Sequence, residues 1–186
     1  GPPRIQEYVD LSRRVLEMYI NFEIRVREIQ DPSVPHTVLV GDGFHIRSFP
    51  ARHSRICVGY SLIEDPRPGL FHPERAEKAG VPRGPLWARL QAGDAVTTPD
   101  GRTVTPDEVM GPPRKGRKFT YVTDTLPIES LVGEVADSDL LIAEGMFTEE
   151  HRESAQSKRH MTALDAARLA TRAGGVKRMG LIHYSP

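Results

Sequence analysis

Three side chains able to bind a metal ion share one setting in this sequence: His53, Asp124 and His183. His53 falls between two predicted strands. Asp124 follows the apolar run Phe119-Thr120-Tyr121-Val122, and His183 follows Leu181-Ile182. In a layered α/β protein, strand ends deliver side chains to a common cleft. Two neutral imidazoles and a carboxylate suit zinc, and a carboxylate can bridge two metals. Taken singly, a His or Asp at a strand end is more often a hydrogen-bonded loop residue than a ligand.

Two further groups have chemical potential. Lys158-Arg159-His160-Met161-Thr162 precedes a long helical pattern. Thr162 has capping-box spacing to Asp165. His160 therefore reads either as a part-solvated residue at a helix start or as a proton donor or phosphate contact in a cleft. Arg114, Lys115, Arg117 and Lys118 form a basic cluster interrupted only by Gly116. It reads either as a solvated flank or as a contact for a polyanion, where phosphate neutralisation releases counterions.

The elements that must position these residues follow from periodicity. Ile5, Tyr8, Val9, Leu11, Val15, Leu16, Met18 and Tyr19 recur at helical spacing. Phe22, Ile24, Val26 and Ile29, among charged residues, read as a half-buried strand. Strands are then expected over Thr37–Val40, Phe44–Pro50 and Ile56–Ile63, with a turn at Gly41-Asp42-Gly43. From Glu64 to Lys118 the chain is rich in proline and glycine. So long a stretch without regular elements tends to be functional or disordered. Leu86, Trp87 and Leu90 favour order, and Pro99-Asp100-Gly101-Arg102 marks a hairpin between Val96 and Thr105. The stretch reads as an ordered arm projecting from the domain. Beyond it, strands over Phe119–Val122, Leu140–Ala143 and Met179–Ile182 alternate with helices over Pro127–Val135 and Thr162–Ala173. The expected class is α/β, with residues 1–63 and 119–186 forming the layered portion and 64–118 the inserted arm.

Composition narrows the setting. A length of 186 residues is a prior for one domain. Lys+Arg and Asp+Glu are both 25, so the total charge gives no support to nucleic-acid binding, although it leaves room for a local basic patch. Cys57 is the one cysteine, which excludes an intrachain disulfide and a cysteine-based zinc site. A reduced, cytoplasmic setting fits. No apolar run approaches the ~20 residues that span a bilayer, and the N-terminus lacks a signal-peptide layout, so no membrane partner is expected.

Joined together, the motifs resemble a known family. Gly59-Tyr60-Ser61-Leu62-Ile63-Glu64 is similar to the GYRIEE strand of ribonuclease Z, the metallo-β-lactamase-fold endonuclease that trims the 3′ end of precursor tRNA. Arg67-Pro68-Gly69-Leu70-Phe71, the run Ala79–Trp87, Leu90–Gly93 and Thr97–Arg102 resemble that family's long arm in order and spacing. Tyr121-Val122-Thr123-Asp124-Thr125 resembles YSGDT, with Thr123 in place of glycine. Leu141–Phe147 is loosely similar to the HEATF segment, His160-Met161-Thr162-Ala163 to the HST segment, and Leu181–Pro186 to the THISPRY ending. Gly1-Pro2-Pro3 resembles the YGPPG that follows the family's first metal motif.

The resemblance implies the C-terminal portion of a metallo-β-lactamase-type αββα sandwich. It implies His53, Asp124 and His183 as metal ligands, with Asp124 bridging two zinc ions; such ligands also admit manganese or iron. It implies proton-transfer roles for Glu144 and His160. Gly80, Arg83, Gly84 and Pro85 become arm positions that grip tRNA; the basic residues Arg114, Lys115, Arg117 and Lys118, at the end of the arm, are the expected further RNA contacts. Precursor tRNA is the implied partner and a homodimer the implied assembly. The family's remaining ligands and its general base come from an HxHxDH motif, and no two of the seven histidines here are separated by a single residue. The expectation is therefore a chain that supplies the second half of a dinuclear site, inactive without a separate or missing N-terminal half. Ala143, Gly145 and Met146 depart from HEAT, which keeps open a non-catalytic RNA-binding or partner subunit. A small-molecule metallo-hydrolase on the same fold is the third reading, and a small substrate has no need of the arm.

Overall fold

Parallel strands need long crossovers, whereas antiparallel ones can follow a tight turn, and the sequence contains both arrangements in turn. The structure, a computed structural model, describes residues 1–184. The last two residues of the THISPRY-like ending, Ser185 and Pro186, lie outside the described residues. Helix α1 (Ile5–Val15) leads to an antiparallel meander of β1 (His36–Gly41), β2 (Phe44–Arg52) and β3 (Ile56–Glu64). Gly43 turns β1 into β2 with a positive φ of 75°.

The described residues fall into two compact units: residues 1–64 with 117–184, and residues 65–116. In the first, β6 (Lys118–Val122) pairs antiparallel with β3; β7 (Leu140–Glu144) and β8 (Met179–Ile182) then add in parallel, giving the order β1-β2-β3-β6-β7-β8. The crossovers carry α5 (Leu131–Val135), a single 3-10 turn (Glu149–His151), α6 (Arg152–Lys158) and α7 (Ala163–Ala173). Phe49, Val122, Leu141 and Ala143 of the sheet pack with Leu131, Val135, Met161, Ala166 and Leu169 to form the core. This sheet with flanking helices is the expected α/β architecture.

Directly opposed strand residues share a face. By register, Leu39, Ile46, Leu62, Phe119 and Leu140 form a row across five strands. None belongs to the buried core, and Leu39, Phe119 and Leu140 are each 37–38% exposed.

The second unit has its own core: Ala76, Val81, Leu90, Val96, Val104 and Val109, packed with Phe71, Leu86, Trp87 and Met110. It holds three short helices, α2 (Pro73–Lys78), α3 (Pro85–Ala92) and α4 (Pro106–Val109), where the sequence suggests no regular element besides the hairpin. Each opens on a proline, whose fixed φ and missing N–H suit the first helical turn. The same prolines that suggest an irregular stretch are helix starts. The expected hairpin is present as β4 (Val96–Thr97) and β5 (Thr103–Val104). Gly69 passes so close to Gly111 that a Cβ would lie 1.9 Å from its carbonyl oxygen, so only glycine fits.

Two expectations are corrected. The segment 22–29 forms no strand; one of its bonds, Ile29 N–H to Gly1 O at 2.8 Å, goes to the chain start, and an alternating pattern without a neighbouring ladder does not make a strand. Helix α1 stops at Val15 instead of reaching Tyr19, and none of its residues is buried. The predicted cap of α7 is present: Thr162 Oγ1 accepts from Asp165 N at 3.1 Å, and the Asp165 carboxylate accepts from Thr162 N at 3.2 Å. Thr162→Ala is expected to cost about 1 kcal/mol, read as a lower urea midpoint at unchanged m-value.

Candidate metal centre

Parallel strands β6, β7 and β8 point the same way, so their carboxyl ends lie side by side. Asp124 follows β6, Glu144 ends β7 and His183 follows β8 in the left-handed region, at φ 61°. The turn after β2 brings His53 to the same end, because Arg52 is tied to the loop after β6: Arg52 N donates to Thr125 Oγ1 at 2.9 Å and Leu126 N to Arg52 O at 2.9 Å. His160 enters from the junction of α6 and α7.

The five side chains converge. The His160 ring lies 4.8 Å from that of His53 and 5.2 Å from that of His183, centroid to centroid. His183 Nδ1 is 2.9 Å from Asp124 Oδ1. Ligand atoms of His53, Asp124 and His160 lie within 4.8 Å of one another, as do those of Glu144, His160 and His183. Both groups could hold a metal ion. Imidazole nitrogens and carboxylate oxygens are the donor set that zinc, manganese and iron accept, so the residues present fit such a metal.

Glu144 is the least suited to be a ligand. It is fully buried, and its Oε1 accepts from Thr125 N at 2.7 Å and Met161 N at 3.1 Å. His160 Nδ1 lies 3.2 Å from both carboxylate oxygens. An acceptor already committed to two backbone donors orients the imidazole through its Nδ1–H. Glu144 thus stands behind His160. In the sequence His160 reads as a proton donor or phosphate contact; the structure also places it in both candidate metal groups. The motifs assign no role to Thr125, yet its N–H holds Glu144 and its hydroxyl holds the strand end before His53. Its place beside Asp124 is the signal in the sequence that could have found it.

Cys57 is half-buried, with Sγ 4.0 Å from Thr123 Oγ1. Burial pushes its thiol pKa up, and the Asp124 carboxylate adds to that. A thiol held protonated is a poor metal ligand and a poor nucleophile.

In the second unit, Gly80 and Gly84 have positive φ of 80° and 141°, and Pro85 opens α3. Arg83 Nε donates to Glu77 at 2.7 Å, and its guanidinium lies 5.7 Å from the Trp87 ring centroid. Arg114 Nε donates to Pro68 O at 3.0 Å, and Lys115 is exposed. In the first unit, Arg117 pairs with Glu64 at 2.7 Å and Lys118 Nζ donates to Ala136 O at 2.9 Å. The basic cluster is thus tied into the protein at Arg114, Arg117 and Lys118.

Comparison with known proteins agrees with the motifs. The beta-lactamase superfamily domain matches residues 109–184. Over all 186 residues the chain is 50% identical to ribonuclease Z of Treponema denticola and 48% identical to that of Treponema pallidum, covering 59% of each. It is 40% identical to ribonuclease Z of Methanosarcina acetivorans, again covering 59% of that protein. Among solved structures, the human short-form tRNase Z matches with a TM-score of 0.63 at 17% identity, over 100% of this chain and 60% of that one. A metallo-beta-lactamase fold protein of Bacillus subtilis matches with a TM-score of 0.51 at 17% identity, over 98% of this chain and 49% of that one. The similarity to ribonuclease Z therefore covers the whole chain, the fold is of the metallo-β-lactamase kind, and the chain spans 59% of the length of these relatives.

Proposed function

We propose that this chain is the metal-site and tRNA-gripping part of a ribonuclease Z-type endoribonuclease, acting in hydrolysis of a phosphodiester at the 3′ end of precursor tRNA. The observation that carries the reading is the convergence of His53, Asp124, His160 and His183 from separate elements, with Glu144 buried behind His160. His53, Asp124 and His183 are the residues we assign to the metal, with zinc as its identity. Such an ion supplies Lewis acidity at a phosphoryl oxygen and lowers the pKa of bound water. Asp124 Oδ1, 2.9 Å from His183 Nδ1, stands against that ring. His160, held through Nδ1 by Glu144, has Nε2 as the nitrogen that can carry a proton to a leaving oxygen.

Gly80, Arg83, Gly84 and Pro85, with Arg114, Lys115, Arg117 and Lys118, are proposed to contact tRNA. A homodimer and a cytoplasmic setting belong to the same reading; among the described residues no helix is long and apolar enough to cross a membrane. The HxHxDH half is proposed to come from another segment or chain.

The test is cleavage of precursor tRNA by the purified chain, with and without the rest of a ribonuclease Z. Cleavage at the 3′ end only in the supplemented reaction is expected; absence of cleavage there would overturn the catalytic reading. The departures Ala143, Gly145 and Met146 favour the second reading, a non-catalytic tRNA-binding subunit, for which mature tRNA still binds. If Arg114 and Lys115 meet phosphates, Arg114→Ala with Lys115→Ala weakens binding across tRNA sequences. The salt dependence of log Kd should then fall by about one unit of slope per lost contact. An unchanged slope removes these two residues from the interface.

A further inference from the structure

Arg159 sits between the two loops that carry His53 and His160, and it is bonded to His53 twice. His53 Nδ1 lies 3.0 Å from the Arg159 carbonyl oxygen, and Arg159 Nη1 donates to the His53 carbonyl oxygen at 3.0 Å. A carbonyl oxygen can only accept, so the ring nitrogen facing it carries the proton. Neutral His53 is thereby the Nδ1–H tautomer, with the lone pair on Nε2.

Arg159 also ends α6 in the left-handed region, at φ 63° and ψ 46°. Glycine or asparagine fills that helix-end position most readily. An arginine there accepts a backbone cost that glycine avoids. Its guanidinium makes no ion pair among the described residues and is spent on the His53 carbonyl. The same left-handed turn sends the next residue, His160, back toward the core, with His160 N donating to Ala155 O at 2.8 Å.

We infer that Arg159 is a positioning residue: its guanidinium and carbonyl clamp the His53 loop to the His160 loop and fix the His53 tautomer that leaves Nε2 open to a metal. The inference rests on the proposed ligand role of His53 for its purpose, but the clamp itself is a property of the metal-free chain. A ligand whose other nitrogen is anchored is oriented in advance. Two loops that are 106 residues apart in sequence are joined at the point where their rings meet at 4.8 Å.

The test is long-range proton–nitrogen NMR on the full chain with nitrogen-15 histidine, without metal, at an alkaline pH where imidazoles are neutral. The wild type is expected to show His53 with a protonated Nδ1 and an unprotonated Nε2. Arg159→Gly keeps the left-handed turn and the backbone carbonyl that faces Nδ1, and removes the guanidinium that holds the His53 loop against that carbonyl. It is expected to shift the two His53 nitrogens toward the averaged values of an exchanging mixture, with a thermal midpoint at or above that of the wild type. Arg159→Lys, which keeps a donor, is expected to restore much of the wild-type pattern. A wild-type His53 protonated on Nε2 would overturn the inference, as would an Arg159→Gly chain with unchanged His53 shifts. The readout involves no cleavage, so a failed precursor-tRNA assay leaves the clamp standing and a failed tautomer result leaves the proposed function standing.

Discussion

Replacing Glu144 with leucine is expected to destabilise the first unit by about 3 kcal/mol or more. Three donors end on its carboxylate: Thr125 N at 2.7 Å, Met161 N at 3.1 Å and His160 Nδ1 at 3.2 Å. Each donor left buried without an acceptor costs about 1–3 kcal/mol. Leucine fills similar volume, so a cavity contributes little and the loss reads out the unpaired donors. Glu144→Gln separates the effects. Its carbonyl can still take the backbone donors, but its NH₂ then faces His160 and requires Nδ1 to accept. The imidazole proton moves to Nε2, the opposite tautomer. Urea unfolding followed by far-UV circular dichroism should show a large loss for leucine and a smaller one for glutamine. In a supplemented cleavage assay both should lose activity, because each disturbs the protonation of His160. A leucine variant within about 1 kcal/mol of wild type would mean that the carboxylate is not the anchor described.

The second large effect concerns metal. The assigned ligands His53, Asp124 and His183 give two ions about two protein ligands each, whereas catalytic zinc normally has three. His160 could join either group, but it is shared between them, and Glu144 is already engaged. The chain alone is expected to retain fewer than two tightly bound zinc ions by elemental analysis. Asp124 lies within reach of His53 and His160, and its Oδ1 is 2.9 Å from His183 Nδ1. Asp124→Ala is therefore expected to weaken zinc binding in calorimetry by about 100-fold or more, beyond the roughly 10–100-fold typical of losing an outer-shell partner. Two tightly held ions in the unmodified chain would refute the incomplete-site reading. Unchanged affinity in the variant would remove Asp124 from the ligands.

Much of this centre is legible in the amino-acid sequence because strand ends are written locally. The run Phe119–Val122 followed by Asp124, and Leu181-Ile182 followed by His183, need only the knowledge that apolar β stretches end where polar side chains begin. The Thr162–Asp165 box is legible for the same reason, since a cap is satisfied within four residues. The position of His160 is not. It depends on the left-handed turn at Arg159 and on the adjacency of β6, β7 and β8, which is a property of the sheet order. Phe22 to Ile29 mislead because alternation records amphipathicity and says nothing of whether a partner strand lies alongside. The helices of the second unit are hidden by brevity: four to eight residues give too few turns for a 3.6-residue period to show, and their opening prolines resemble breakers.

The part-exposed apolar row across the sheet has a practical consequence for anyone handling the chain. Leu39, Ile46, Leu62, Phe119 and Leu140 form a band that begins on the edge strand β1, where Val40 is 75% exposed. Lysine and arginine balance aspartate and glutamate at 25 each, so at neutral pH no net repulsion keeps two molecules apart. Sticky faces without colloidal repulsion lead to self-association through edges and bands of this kind. Light scattering should rise toward neutral pH and fall on either side of it, and a charged substitution such as Leu140→Lys should raise the usable concentration.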